Sequence, residues 1–381
     1  MAADSAGLYI HIPFCKSKCR YCDFYSVTEL SKISDFIAAL EKEMALAAAG
    51  NRLPIDTLYI GGGTPSMLSP GHLGCLLKAA RRYFDIHPAA EITAEANPDS
   101  LTAAWLAAAR DSGVNRLNIG VQSFSENALA FLGRRHSAEQ ALSAIFEARK
   151  SDFDNLGLDL IFGLPGQRPK DLEKNLKKAL EFSPEHLSCY SLTYEPGTPL
   201  AEALQNNEFT PLSEEAAADC LEFVSGFLTE NGFSHYEISN FSRTDRYRSQ
   251  HNTRYWLRRP YIGLGPAAHL FDGRTRAWNF KDLDQYLGNL AAGRLPRQSQ
   301  ETLTTRQHMI EAIYLGLRLA EGIDIPAFDA EFSADFKNQF APALNRLEKD
   351  GLLSIEAGRC RLTSRGRLFH ESVSADLIAH I

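Results

Sequence analysis

The 381-residue sequence has no long apolar run, and no stretch approaches the roughly 18 uninterrupted apolar residues typical of a membrane-spanning helix. Its first residues, Met1–Phe14, hold neither a cluster of basic residues nor a long apolar segment, so we expect no signal peptide. Positive charge is not in excess: the net charge is −7, which provides no general attraction to nucleic acid. The sequence therefore predicts a cytoplasmic protein without a nucleic-acid partner.

Cysteine is scarce and unevenly distributed. There are seven cysteines, an odd number, and three of them lie between residues 15 and 22. The others are scattered along the chain: Cys75, Cys189, Cys220 and Cys360. A secreted disulfide framework would show paired, regularly spaced cysteines, whereas a reduced chain with one metal site shows this distribution.

Short apolar runs alternate with amphipathic helical patterns over the first half of the chain. The apolar runs predict six strands, at Leu8–Ile12, Thr57–Ile60, Glu91–Ala96, Arg116–Val121, Leu156–Ile161 and His186–Leu192. Strands that alternate with helices indicate an α/β fold with a parallel sheet. Six units are fewer than the eight of a closed barrel, so the sequence predicts an open (βα)6 partial TIM barrel.

The alternation of strands and helices ends near residue 235, so the sequence predicts that the chain has three parts. Residues 1–235 form the barrel, and residues 236–295 form an extension rich in aromatic residues and arginine. The polar stretch AGRLPRQSQET, at residues 292–302, is predicted as a linker. Residues 303–381 combine amphipathic helices with a hairpin around Ala357-Gly358, which indicates a small α+β domain of winged-helix type.

The spacing C-x3-C-x2-C, formed by Cys15, Cys19 and Cys22, directly follows the first predicted strand. Three thiolates can hold three corners of a [4Fe-4S] cluster, which leaves the fourth iron for another ligand. A structural zinc site is one alternative, but it requires a fourth ligand that no Cys or His supplies at a useful spacing. Three unrelated thiols are the other alternative.

This cysteine motif, with the aromatic Tyr21 just before its last cysteine, resembles the radical SAM superfamily. The resemblance implies that S-adenosylmethionine (SAM) binds the open iron through its amino and carboxylate groups. It also implies that an electron from the reduced cluster cleaves SAM to methionine and a 5′-deoxyadenosyl radical. In such a site the protein supplies position and shielding for chemistry that belongs to the cofactor.

Three further segments, Tyr9–Cys15, Gly61–Ser66 and Gly120–Phe124, look like the oxygen-independent coproporphyrinogen oxidase group. The likeness implies SAM contacts at eight positions: Tyr9, Gly62, Gly63, Thr64, Glu95, Gln122, Arg134 and Asp159. The last three match a second SAM site in that group. The alternative for Glu95 and Asp159 is a structural role as polar residues near the barrel mouth.

Two subgroups share these motifs: dehydrogenases that convert two propionates of coproporphyrinogen to vinyls, and heme chaperones. The dehydrogenases carry another cysteine two residues after the third cluster cysteine, where this chain has Phe24, and a longer segment before the first strand. The H-N-x-x-Y-W motif of the chaperones matches His251–Trp256. The resemblance therefore implies heme as cargo, a respiratory protein as recipient and His251 as an axial heme ligand, with a structural histidine as the alternative.

Six arginines surround His251 in the sequence: Arg243, Arg246, Arg248, Arg254, Arg258 and Arg259. Arginine suits bidentate binding of carboxylates, and heme carries two propionates. A solvated basic loop explains the cluster equally well, and the same residues could meet acidic lipids or a partner protein. Peripheral membrane contact and a homodimer are left open. Arginines near the C-terminus make nucleic-acid binding a weaker alternative, which the acidic net charge opposes.

Overall fold

The structure is a computed structural model that describes residues 5–50 and 53–381. A sheet of twelve strands forms its centre, in the order β12-β11-β10-β9-β1-β2-β3-β4-β5-β6-β8-β7. The strands of this sheet are β1 (Ala6–Ile12), β2 (Ile55–Gly62), β3 (Ile86–Ala96), β4 (Arg116–Gln122), β5 (Leu156–Phe162), β6 (His186–Ser191), β7 (Ser234–Glu237), β8 (Asn240–Ser242), β9 (Tyr261–Leu264), β10 (His269–Phe271), β11 (Thr275–Asn279) and β12 (Arg297–Thr302).

The first six strands lie side by side in chain order, and each pair is parallel. Helices follow them: α1 (Ile33–Ala48), α2 (Pro70–Tyr83), α3 (Ala103–Asp111), α4 (Glu126–Leu132), α5 (Ala138–Lys150), α6 (Pro169–Leu180), α7 (Pro199–Gln205) and α8 (Glu214–Glu230). Strand β6 pairs next with β8, and β1 with β9, so the sheet does not close on itself. The predicted open six-unit α/β barrel is confirmed.

The strand interiors explain why this sheet forms. Leu8, Ile10 and Ile12 of β1 are fully buried, and the buried apolar residues of the other parallel strands join them in one continuous core. Parallel strands are covered on both faces, so they read as near-continuous apolar runs in the sequence. The helices begin at local signals. Ser137, for example, caps α5 by a capping box with Gln140.

Residues 234–302 extend the same sheet at both edges. Strand β9 pairs with β1 in parallel, and β10, β11 and β12 continue the sheet in antiparallel fashion. Between them lie α9 (Gln250–Trp256) and α10 (Leu283–Ala291). The predicted linker at residues 292–302 is wrong for most of its length, because residues 297–302 form the edge strand β12. Its side chains are mostly exposed, so the stretch lacks the apolar alternation that marks a strand.

The last part of the chain is a small α+β unit with its own core and a three-stranded antiparallel sheet, in the order β13-β15-β14. Its elements are α11 (Thr305–Gly316), β13 (Ile323–Asp324), α12 (Ile325–Phe332), α13 (Phe336–Gln339), α14 (Ala341–Lys349), β14 (Leu353–Glu356), β15 (Arg359–Leu362), α15 (Ser364–Leu368) and α16 (His370–Ile378). The predicted hairpin and small winged-helix-like unit are confirmed. The division of the chain at residues 235, 295 and 303 stays a prediction.

Ion pairs and a backbone contact join this C-terminal unit to the barrel and its extension. Arg318 pairs with Glu237 at 3.1 Å, and the N–H of Ala320 donates to the carbonyl of Tyr236. Arg258 forms a bidentate pair with Glu331, at 2.6 and 2.9 Å. Within residues 5–50 and 53–381, no helix has the length and apolar character needed to cross a bilayer.

Candidate functional site

A large cavity opens at the carboxyl ends of the parallel strands and reaches the C-terminal unit. Its volume is about 1380 Å³. Ligand sites of α/β barrels lie at this end of the strands, because the loops that vary between proteins meet there. Ten of the predicted site residues line the cavity: Cys15, Cys19, Cys22, Gly62, Gly63, Thr64, Glu95, Gln122, Arg134 and Asp159.

The three motif cysteines are free, partly exposed and on the wall of this cavity. Their loop follows β1 and is held at both sides: the N–H of Cys15 donates to the carbonyl of Val27, and that of Arg20 to the carbonyl of Leu132. Across the described part of the chain, no three His, Cys, Asp or Glu side chains are grouped as ligands of a single metal ion. In a cubane cluster each thiolate binds a different iron.

A chain of hydrogen bonds links two of these thiols through Asn97. The thiol of Cys15 lies 3.4 Å from the hydroxyl of Thr64, and Asn97 Nδ2 donates to that hydroxyl at 3.0 Å. Arg134 donates to Asn97 Oδ1 at 2.8 Å and to Cys19 Sγ at 3.5 Å. Sequence reasoning did not assign Asn97, although Asn-Pro directly after the third strand is a signal for a turn at the barrel mouth.

The glycines at the carboxyl end of β2 are required by the packing of the protein itself. Gly62 has a φ of +106°, and a Cβ there would lie 2.5 Å from the ring of His11. A Cβ on Gly63 would lie 2.8 Å from the carbonyl oxygen of Ile12. These glycines therefore let the turn pack directly against the end of β1, which holds the cysteine loop next to it.

Glu95 ends β3 and presents a carboxyl group to the cavity. Tyr59 donates its hydroxyl to Oε1 at 2.6 Å, and the N–H of Gly62 donates to Oε2 at 3.2 Å. Desolvation raises the pKa of Glu95 to about 7, and the nearby charge of Asp159 acts in the same direction. The carboxyl group is thus fixed in place and ready to change charge near neutral pH.

Gln122, Arg134 and Asp159 form a second polar group across the cavity. Gln122 has a φ of +65° at the end of β4, and its buried Oε1 has no hydrogen-bond partner among the described residues. The Nε of Arg134 is likewise buried and without a described partner. Asn118 donates to Asp159 Oδ2 at 2.6 Å. Gln122 and Arg134 line the cavity, so a polar ligand there could pair with these two atoms.

Tyr9 and His251 do not line the cavity. His251 is 1% exposed and lies near the amino ends of β1 and β2. One ring nitrogen is 2.9 Å from the hydroxyl of Thr57 and the other is 2.9 Å from that of Tyr255. Both nitrogens are therefore engaged here. A heme iron could bind His251 only if the ring left one of these partners, and the axial-ligand assignment stays a prediction.

Three of the six arginines near His251 in the sequence form ion pairs within the protein. Arg254 is fully buried, pairs with Asp56 and donates to the carbonyl of Ser5 at 3.0 Å. Arg248 pairs with Glu321, and Arg258 with Glu331. Arg248, Arg254 and Arg258 therefore do not form a free basic surface.

The residues on the cavity wall fit the cofactors that the cysteine motif implies. Three separate thiols with an arginine beside one of them match a cluster ligated at three irons. The unpaired atoms of Gln122 and Arg134, together with the Glu95 carboxyl, match the charged and polar groups of SAM. Both sets face one cavity, so a cluster and a polar ligand could be held side by side.

Comparison with known proteins identifies the family. Residues 9–179 match the radical SAM superfamily, and residues 303–369 match the HemN C-terminal domain. A solved structure, coproporphyrinogen III oxidase (HemN) from Escherichia coli, is described as a radical SAM enzyme. It superposes with a TM-score of 0.85 at 25% identity, covering 99% of this chain and 91% of that one.

Curated relatives align over almost the full length. The heme chaperone HemW of Bacillus subtilis is 35% identical over 370 residues, 96% of this chain and 97% of the relative. The heme chaperone HemW of Mycobacterium tuberculosis is 36% identical over 383 residues, 99% of this chain and 96% of the relative. The chain therefore belongs to the radical SAM superfamily and, within it, to the family of the proteins named heme chaperone HemW.

Proposed function

We propose that this chain is a cytoplasmic heme chaperone on a radical SAM scaffold, which binds heme and delivers it to a respiratory protein. The observation that carries the proposal is the full-length similarity to relatives named heme chaperone HemW. Position 24 supports it, because Phe24 stands where the dehydrogenase subgroup has its additional cysteine. The cavity supports it too, since about 1380 Å³ exceeds the roughly 300–1,000 Å³ of a usual single-ligand pocket.

The cysteine loop and the strand ends have separate tasks in this proposal. Cys15, Cys19 and Cys22 would hold a [4Fe-4S] cluster. SAM would lie against Gly62–Thr64 and Glu95. Gln122, Arg134 and Asp159, the second polar group across the cavity, would contact SAM from the other side. When bound, the cluster supplies one-electron chemistry to SAM. The protein's own groups position the ligand: the Glu95 carboxylate would pair with an ammonium group, and Arg134 would offer N–H donors to a carboxylate.

One preparation tests the proposed function against the dehydrogenase alternative. The full chain, with its cluster rebuilt under anaerobic conditions, is titrated with hemin and assayed for heme transfer to a heme-free acceptor. In parallel it is incubated with SAM, a reductant and coproporphyrinogen. We expect hemin binding and transfer without formation of the divinyl product. Divinyl product in the absence of hemin binding would show that the chain is a dehydrogenase and would overturn the proposal.

A further inference from the structure

The cavity has two walls of different origin. The inner wall is the barrel mouth, with the cysteine loop and the strand ends described above. The outer wall comes from the C-terminal unit, through Arg318, Arg365, Arg367 and Phe369 among others. Seven of the eight residues that match SAM contacts lie on the inner wall, all but Tyr9, so the outer wall is left for a different ligand.

Two arginines of the outer wall differ from their neighbours in their partners. Among the residues that the structure describes, Arg365 and Arg367 form no salt bridge, whereas Arg318 on the same wall pairs with Glu237. Arg365 is exposed, and its one hydrogen bond runs to the carbonyl of Asp350 at 3.4 Å. Arg367 is half-buried and donates to His235 Nδ1 at 2.7 Å. Most arginines near the unit's interface are paired, so these two are available to an anionic ligand.

Exposed aromatic side chains also gather at this cavity. Six large apolar or aromatic side chains of the described chain are strongly exposed, and Phe24, Tyr190 and Phe369 line the cavity. Phe24, on the cysteine loop, is 66% exposed, and Phe369, on the outer wall, is 44% exposed. Exposed aromatic groups that converge on one pocket mark a site for a flat apolar ligand, because such a ligand removes their surface from water.

A part of the cavity lining next to the outer wall carries negative charge. Helix α8 contributes four carboxylates to the lining: Glu214, Glu215, Asp219 and Glu222. A ligand with two carboxylates would be repelled from that side and attracted to the outer wall. Helix α8 packs against α15, the helix that carries Arg365 and Arg367, so the carboxylates and these arginines line neighbouring parts of the cavity. This separation of charge gives such a ligand one preferred orientation.

We infer that the outer part of the cavity is the cargo site, in which Arg365 and Arg367 bind the propionates of heme while Phe24 and Phe369 contact the macrocycle. This inference rests on the proposed function, because that function supplies the ligand. The site lies beside the cysteine loop, in a cavity that His251 does not line. It combines Phe24 and Arg365, which are some 340 residues apart in the chain and line one cavity only through the fold.

The test compares two probes, hemin and hemin dimethyl ester, on the full chain. The double variant Arg365→Gln/Arg367→Gln should bind hemin at least about tenfold more weakly than the wild type, because two charge-assisted contacts are lost. Its affinity for the dimethyl ester should equal that of the wild type, because the ester offers no carboxylate. The matched control is Arg306→Gln, an exposed arginine of the same unit outside the cavity.

Two further measurements keep the outcomes distinct. Arg367 contacts His235, so the single variant Arg365→Gln, at an exposed position, is measured as well, with thermal unfolding as a check on folding. It should lose part of the hemin affinity while unfolding at the wild-type temperature. If wild type binds hemin and the double variant binds it equally well, or if hemin and its ester weaken alike, the cargo site is wrong and the proposed function stands. If wild type binds no hemin, the proposed function itself fails.

Discussion

At the scale of single residues, the charge of Glu95 is expected to control SAM binding. The pKa of this carboxyl is raised to about 7, so the group loses its proton as the pH rises through neutrality. A carboxylate attracts the ammonium group of SAM, and the protonated form does not. SAM affinity should therefore rise about ninefold from about pH 6 to about pH 8, as the ionised fraction rises from about one tenth to nine tenths.

Calorimetry on the cluster-loaded protein under anaerobic conditions measures this rise in SAM affinity with pH. Glu95→Gln should lower the affinity for SAM and remove the rise with pH. Glu222→Gln, an exposed carboxylate of α8 on the same cavity, is the matched control and should keep the rise. A Glu95→Gln variant with the wild-type pH profile would show that another group is responsible.

The individual site residues differ in how far the sequence could reveal them. Cys15, Cys19 and Cys22 form a spaced motif within one loop, so their chemistry could be predicted without a structure. Asn97 could not be assigned in this way, because its partners Thr64 and Arg134 lie elsewhere in the chain and meet it only in the folded barrel. Arg365 and Arg367 belong to the C-terminal arginines that the sequence offered only for the weaker nucleic-acid alternative, because their place on the wall of this cavity follows from the fold.

At the scale of elements, helix α9 packs at the amino ends of β1 and β2. The His251 ring forms a hydrogen bond with the hydroxyl of Thr57 and stacks on the ring of Tyr59, with 5.3 Å between the centroids. The backbone N–H of His251 donates to the carboxylate of Glu91 at 3.1 Å. We expect His251→Ala to lower the free energy of unfolding by about 2–4 kcal/mol, since it removes buried packing and leaves two hydroxyl groups without a partner. Denaturant unfolding measures this loss.

Acidification gives a second readout of the same residue. Burial lowers the pKa of His251 to about 3, so the unfolded chain takes up a proton near its ordinary pKa of 6.5 while the folded protein does not. The contribution of His251 to stability is therefore complete above about pH 6.5 and decreases as the pH falls toward about 3. The exposed His87→Ala is the control. An unchanged unfolding free energy in His251→Ala would contradict the packing role, and a changed heme spectrum would support the axial-ligand prediction.

The elements also show where sequence patterns are sufficient. Each of the six predicted barrel strands overlaps an observed parallel strand, because burial on both faces leaves an apolar run in the sequence. Strand β12 has no such run, since it lies at the sheet edge with most side chains in water, and it was predicted as a linker. The sequence of α9 contains a family motif, but the residues that contact it, Thr57 and Asp56, lie almost 200 residues earlier. Its packing could therefore not be predicted from the motif.

At the scale of the whole molecule, the cargo site depends on how the C-terminal unit is docked. That unit supplies the outer wall, and the ion pairs that hold it to the extension include Arg248 with Glu321 and Arg258 with Glu331. The inner wall belongs to the barrel alone. Heme affinity should therefore be sensitive to the docking of the unit, and SAM affinity should not.

A charge exchange across the interface tests this dependence. Arg248→Glu/Arg258→Glu places like charges opposite Glu321 and Glu331, so the docked arrangement loses two attractions and gains two repulsions. We expect hemin affinity to fall by about fivefold or more, with SAM affinity unchanged, in titrations of the full chain. Adding Glu321→Arg and Glu331→Arg restores opposite charges with the sides exchanged, and it should recover most of the hemin affinity.

If the four-residue variant binds hemin as weakly as the double variant, the arginines act by some route other than docking. If SAM affinity falls in parallel with hemin affinity, the two walls are not independent. Recovery of hemin binding in the exchanged variant, with SAM binding constant throughout, would instead show that the position of the C-terminal unit determines whether the cavity holds cargo.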